Sequence, residues 1–599
     1  MEAEDILFFA WHLAAGLGLA ATAYVAGRLL LRGFDFRGTG GRGALAVAVG
    51  LAALAQALLL LGFAGRLAIG PVAALGAAVH ALGLGVWREV ARRLLEMWRT
   101  GGGRRLGLAA ALAALAVAPF FVAALYPPTA FDETLYHLPY ARAFARTGSL
   151  PFLPELRFPV FPQLGELLFA AMLLLAGDVS AHLVELTAVL ATAALLQAWG
   201  RRAASPAAGW IAAAAFLGHP IAAFLAGSAY VEPGLALFGC AAVFAAERWR
   251  ETGQGRWVAA AGFLAGAAAG TKYLGLFFVA AVGVEVLLAG LRRRTFAPAA
   301  LFALVACLAL APTYGRIVQH TGNPLFPFFP QVFGSSPWDA DQFLGERGGA
   351  RLATAATLLW DVVFRRDAVG GLPPYSPVLP LAVPLLLWAA AALPPVRRWL
   401  LYVAAFLLLV PTHAHYLFAV LPLFALSLGV ACDHLLRRTG AAPLRRHAPA
   451  AACVLLLLPG WAYAAWRVAR LGAPPRDGAQ REAYLARQLP AYRAVAVLNR
   501  LGGESATAYA VHAENMVYLA EGRLLGDWNG PASFARVLRA AGDPEALRRA
   551  LRRLGATYLL VARGGGFDPA TVPGFERRFV RLYADRHASL YRIREDGGG

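Results

Sequence analysis

The sequence predicts an α-helical polytopic membrane protein with a C-terminal α/β domain outside the bilayer, and three observations carry that prediction. Hydrophobic residues fill 59% of 599 positions against 15% charged, and mean hydropathy is +0.57, more apolar surface than one soluble core encloses. Apolar runs of membrane-spanning length recur from Ile6 to Trp466. From about residue 468 onward the composition returns to an ordinary mixture of polar and apolar residues.

In chain order, hydropathy places spans near 6–31, 43–64, 68–88, 106–126, 180–199, 207–225, 229–247, 257–271, 273–290, 296–314, 376–394, 399–412, 414–434 and 449–467, about fourteen in all. The first run follows "MEAED" and is too long, with the wrong flanking charge, for a cleaved signal, so it reads as a retained span. Arginine clusters at 28–42, 88–105, 201–202, 248–256, 292–294, 397–398 and 437–446 fall in alternate loops. By the positive-inside rule this puts the N-terminus outside, together with segments 127–179 and 313–375 and the tail. The net charge of +20 is therefore read as topology signal and lipid-headgroup contact, not as a nucleic-acid surface. Segment 163–177, "QLGELLFAAMLLLAG", reads as an interfacial or re-entrant helix, because a full span there inverts every later loop.

The four cysteines have neither a disulfide framework nor zinc spacing. The tail mixes helical patches such as "DPEALRRALRRLG" with short apolar strands such as "ATAYAV", "ATYLLVA" and "SLYRI". This alternation predicts a sheet with flanking helices, without a phosphate-binding glycine loop or a nucleophile elbow.

The polar residues with chemical potential gather on the predicted outer side. Asp132 and Glu133, in "FDETLYHLPYARAF", follow a span and precede an amphipathic helix. A carboxylate fixed there can serve as a general base, taking a proton from an acceptor while a sugar C1–phosphate bond breaks. One carboxylate suffices, because phosphate leaves without an acid. The competing role for Asp132 is an N-cap, with Glu133 favouring the positive helix end. Tyr136 and His137, just beyond, are expected in the same substrate pocket.

Glu232 in "AYVEPGLALF" precedes a span; it either orients the acceptor, joins Asp132 in a weak cation site, or caps a helix whose next residue, Pro233, suits the first turn. Lys272 is the only lysine among 55 positive residues. A snorkelling anchor would be arginine as readily, so a retained lysine favours a compact ammonium that binds phosphate. Arg316 is a second candidate phosphate ligand. His413, His415 and Tyr416 in "THAHYLFAVLP" sit at another outer span end and read as polar pocket lining in preference to a metal site.

Assembled, these residues resemble the GT-C superfamily of membrane glycosyltransferases, in its bacterial branch similar to aminoarabinose transferases and protein O-mannosyltransferases. "FDETLYHLPYARAF" resembles that family's Asp-Glu signature and implies Asp132 as catalytic base, with Glu133 beside it. "AGAAAGTKYLGL" resembles a Gly-rich span ending in Thr-Lys, which implies a donor-phosphate role for Lys272. "FPQLGELLF", "AYVEPGLALF" and "TGNPLFPFF" are also similar to family stretches, although Glu232 stands where Asp is usual and His415 where Arg is common.

The resemblance runs over about 106–467. It implies a catalytic core there; the three extra spans over 1–105 depart from the family, which usually starts at the span before the Asp-Glu loop, and composition and topology give a soluble extracytoplasmic domain over 468–599. The resemblance further implies inverting transfer from a polyprenyl-phosphate sugar to a lipid, glycan or protein acceptor, at the outer face of a bacterial inner membrane. No cofactor is required on this reading, and a divalent metal remains an option. The alternatives are a lipid-pyrophosphate oligosaccharide donor, which calls for a metal held by several carboxylates, and a transporter, which calls for inverted repeats.

Overall fold

The computed structural model describes residues 3–36, 40–334, 351–410, 413–439, 442–526 and 531–595. Arg37 and stretch 335–350 of the second long outer segment lie outside the described residues. The chain divides into two compact units, Met1–Tyr126 with Pro162–Tyr314 and Gly348–Pro474, and Pro127–Phe161 with Gly315–Arg347 and Pro475–Gly599. The first 105 residues thus belong to the large helical unit, while the start of the first outer segment groups with the tail.

The first unit is helical, and a helix lies at each predicted span position. Six helices among the described residues are long and apolar enough to cross a bilayer: Ile6–Leu30, Arg42–Phe63, Asp178–Ala203, Tyr273–Arg292, Ala297–Thr321 and His447–Leu471. Two bent pairs, Ile69–Leu82 with Leu84–Thr100 and Pro206–Leu217 with Pro220–Ala226, raise the number to eight. The protein is therefore a multi-pass membrane protein, and among the described residues fewer than fourteen helices are full-length apolar spans.

The difference has a local cause. A hydropathy window reads through a break that the backbone cannot, as at Gly218-His219-Pro220, where the chain bends by 73°. Elsewhere charge shortens the apolar stretch, as in Glu232–Thr252, whose last two turns hold Glu247, Arg248, Arg250 and Glu251. Segment 163–177 forms the short apolar helix Leu164–Ala176.

Several buried polar groups inside this unit are paired. Glu247 accepts from the indole N–H groups of Trp199 at 2.9 Å and Trp399 at 3.2 Å and from Arg398, and Arg250 pairs with Glu285 at 2.8 Å. Several arginines of the topology clusters are therefore also structural ion partners. The Gly-rich span packs closely: a Cβ at Gly262 would lie 2.7 Å from the Phe302 carbonyl, and one at Gly266 2.7 Å from that of Ala306. Small residues at such a contact let membrane helices approach backbone to backbone.

The second unit contains a five-stranded sheet: β1 Thr507–Val511, β2 Arg523–Gly526, β3 Tyr558–Ala562, β4 Phe579–Ala584 and β5 Ala588–Ile593, in the order β2-β1-β3-β5-β4. β1 is parallel to β2 and β3, whereas β5 is antiparallel to β3 and β4. Tyr509, Leu559 and Tyr591 stand in register across three strands. Leu547 and Leu551, one helical turn apart on Pro544–Arg553, bury against that face. The three strands legible in sequence are β1, β3 and β5; β2 has only four residues, and β4 is masked by the charges of "FERRFVRLYADR".

The first outer segment is anchored within this same unit. The Tyr518 N–H donates to the Thr134 carbonyl at 2.8 Å. Arg142 reaches the carbonyls of Tyr518 at 2.6 Å and Ala520 at 3.0 Å, and lies 5.1 Å from the centroid of the Tyr518 ring.

Candidate functional site

Helix Gly255–Thr271 stops where Lys272 turns extended, at φ −157° and ψ 148°. The chain then makes a single tight turn over Tyr273–Gly275, closed by the Gly275 N–H on the Lys272 carbonyl at 2.8 Å. A Cβ at Gly275 would lie 2.1 Å from the Ala268 backbone, so only glycine allows this turn. The turn ends the helix and leaves the Lys272 side chain among partners from other elements.

Two of the residues singled out in sequence, Glu232 and Tyr416, contact it, and a third, His415, faces the Glu232 carboxylate. The Lys272 ammonium is ion-paired with the Glu232 carboxylate and lies 5.1 Å from the centroid of the Tyr416 ring, a cation–π distance. His415 Nε2 is 3.7 Å from the same Glu232 oxygen. Glu232 is wholly buried and opens helix Glu232–Thr252, with Pro233 in the first turn as the capping alternative requires. Its carboxylate, however, serves Lys272 in place of the helix N–H groups. The His413 ring lies beside those of His415, at 5.5 Å, and Tyr416, at 5.4 Å.

In the second unit, Glu133–His137 form one π-helical turn that leads into helix Leu138–Thr147, a distortion common at functional sites. The two acidic neighbours separate here. Glu133 is buried, and its Oε1 accepts the N–H groups of Thr129 at 2.6 Å and Ala130 at 2.7 Å. Asp132 is half-buried, makes no cap hydrogen bond, and accepts from the Tyr136 hydroxyl at 2.9 Å. The capping role thus falls to Glu133 and is exerted on the turn before it. Tyr136 and the fully buried His137 stack obliquely with centroids 4.2 Å apart, and Phe158 and Phe161 border Tyr136.

Arg316 is also placed in this unit. It is buried, donates to the Pro151 carbonyl at 2.8 Å, and lies 5.8 Å from the centroid of the Phe144 ring. These contacts fix the first outer segment and engage the guanidinium that sequence had offered to a phosphate.

Among the described residues, no group of three or more His, Cys, Asp or Glu side chains is placed to hold a metal ion. Glu232 is engaged by Lys272, which weakens its claim as a cation ligand while that pair stands.

Sequence reasoning passed over two buried carboxylates. Glu185, in the first third of Asp178–Ala203, accepts the Gly234 N–H at 2.9 Å. Glu166, on Leu164–Ala176, lies within electrostatic reach of Lys272 and Glu232. The available signal was a lone acidic residue inside an apolar run, which in a membrane helix marks a site until a partner is found.

A family model described as SF2091/S2213 matches residues 480–592, within the tail. No curated protein matches the sequence. Among solved structures, ArnT from Cupriavidus metallidurans bound to undecaprenyl phosphate aligns with a TM-score of 0.52 and 16% identity, over 81% of this chain and 98% of that one. ArnT of the same organism in the apo state aligns with a TM-score of 0.54 and 17% identity, over 82% and 98%. The apo oligosaccharyltransferase of Archaeoglobus fulgidus aligns at 0.42 with 11% identity, over 75% and 69%, a likeness too loose to weigh. The fold is the GT-C fold.

Proposed function

From that shared fold, we propose that the chain is an inverting glycosyltransferase that moves a sugar from a polyprenyl phosphate to a lipid, glycan or protein acceptor. Its site and tail would lie on the outer side of a bacterial inner membrane. The observation that carries this reading is the alignment to ArnT, one of whose structures holds undecaprenyl phosphate, over 98% of that chain. The same likeness weighs against a transporter.

Asp132 is the proposed base. Its carboxylate removes a proton from the acceptor hydroxyl or amine, the acceptor atom bonds to the sugar C1, and the C1–O bond breaks with its electron pair going to the phosphate. The Tyr136 hydroxyl holds Asp132 in place before the acceptor arrives. Lys272 is proposed to meet the phosphate, whose negative charge grows as the sugar leaves, so the ammonium stabilises the transition state more than the bound donor. Binding then exchanges a carboxylate for a phosphate on Lys272, which accounts for an ammonium already held ready by Glu232. His415 and Tyr416 complete the surroundings of that exchange. The reading calls on no cofactor.

The test is reconstitution in liposomes with a panel of polyprenyl-phosphate sugars and extracted envelope lipids and glycans, following donor loss by mass spectrometry. Consumption by the wild type and not by Asp132→Asn supports the reading and names the sugar. No consumption of any donor by folded protein overturns it.

A further inference from the structure

We propose that Glu185 is a positioning residue for Lys272, acting through the first turn of helix Glu232–Thr252. The functional consequence rests on the phosphate role proposed for Lys272, but the geometry stands without it.

The first N–H groups of a helix have no partner within it. In Glu232–Thr252 the second of these positions is Pro233, which has no N–H, and the ladder begins with Leu235 donating to Val231 at 3.0 Å. The Gly234 N–H between them is taken by Glu185 Oε2 at 2.9 Å, across 49 positions of sequence. Glu185 is 1% exposed, and a carboxylate buried in an apolar helix is costly unless its hydrogen bond and the positive helix end repay it.

That contact fixes the backbone two residues from Glu232. The Glu232 side chain has little else to hold it: Oε1 serves Lys272 and faces His415, while Oε2 has no hydrogen-bond partner among the described residues. The position of the Glu232 carboxylate, and with it that of the ammonium, is therefore set by where the helix starts. Glu185 sets that start. The relay runs from Glu185 to Gly234 to Glu232 to Lys272, with Glu185 touching neither the lysine nor any proposed substrate atom.

The lone lysine makes this measurable. Selective labelling with lysine enriched in 13C at Cε gives one side-chain resonance, that of Lys272, in the full-length protein in nanodiscs. Glu185→Gln keeps an acceptor for the Gly234 N–H and is expected to leave the resonance in place. Glu185→Ala, and Glu185→Leu as the variant that leaves no cavity, are expected to move or split it and to lower kcat/KM at least tenfold, with Gln restoring most of that loss.

An unchanged resonance in a folded Ala or Leu variant overturns the proposal. So does a Gln variant whose resonance moves, since Glu185 would then act by its charge. A wild type that consumes no donor while the resonance follows the expected pattern refutes the transferase reading and leaves the positioning role intact.

Discussion

The chain's single lysine, Lys272, is ion-paired with Glu232, a carboxylate with no exposed surface at all. A buried pair of this kind is a liability when one partner is removed, because the other is left charged in a medium that solvates it poorly. Lys272→Met and Glu232→Gln are each expected to destabilise the protein by roughly 3–5 kcal/mol. The double variant is expected to recover much of that loss. Thermal unfolding of all four proteins in detergent checks the coupling, and strictly additive losses would mean that the pair contributes nothing. For activity work, Lys272→Met is best read beside the double variant, since the single change alters folding as well as charge.

Asp132 and Glu133 are neighbours with different work. Asp132→Asn is expected to reduce transfer by about 10²–10⁴-fold, the range for loss of a general base, at unchanged stability. Glu133→Ala strips the acceptor from two backbone N–H groups and is expected to cost roughly 1–3 kcal/mol. Paired activity and melting measurements separate the two, and the opposite pattern would reverse the assignment.

Arg142 joins the first outer segment to the tail through three carbonyls, those of Val517, Tyr518 and Ala520, and an aromatic face. Arg142→Ala is expected to loosen segment 127–161, and limited proteolysis should cut there sooner than in the wild type. Arg142→Lys, with a point charge in place of a planar fork, is expected to restore only part of the resistance.

The tail should lose stability in acid through Glu545. Its hydrogen bond with Arg548, joined by the charges of Arg548, Arg578 and Arg549, holds its carboxyl below the ordinary carboxylate range. A group depressed on folding stabilises the folded state at pH above its unfolded value, and that contribution disappears as pH falls through the folded one. The protection factors of the β3 and β5 amides, corrected for the intrinsic exchange rate at each pH, are therefore expected to fall in that window for the wild type. Glu545→Gln should exchange faster at neutral pH and show less acid dependence.

Chelation offers a further check. Because the proposed mechanism uses a base and an ammonium, excess chelator is expected to leave donor consumption within about twofold of its untreated value, on the scale where tenfold is 1.4 kcal/mol. Abolition, with rescue by a divalent ion, would instead favour a cation shared by the outer carboxylates.

Much of this molecule was legible because the relevant signals are local. Spans read from runs of apolar residues, the tail from the period of its strands, and Lys272 from its rarity in an arginine-rich chain. The breaks at Gly218-His219-Pro220 and after Thr271 were less so, because a hydropathy window averages across them. Arg316 shows the same limit in a side chain: its position suggested a phosphate ligand, but not its contacts with the Pro151 carbonyl and the Phe144 ring, which come from distant sequence.

By itself, then, the sequence determined a many-span membrane protein, a small α/β tail, and a short set of polar residues worth watching. The tertiary structure decided who partners whom: Lys272 with Glu232 across 40 positions, Glu185 with Gly234 across 49, and Arg142 with the Tyr518 carbonyl across 376. The reason is physical. Hydropathy and periodicity are properties of a window of neighbouring residues, whereas a buried charge is satisfied by whichever group the fold brings within about 3 Å, and distance along the chain does not enter that choice.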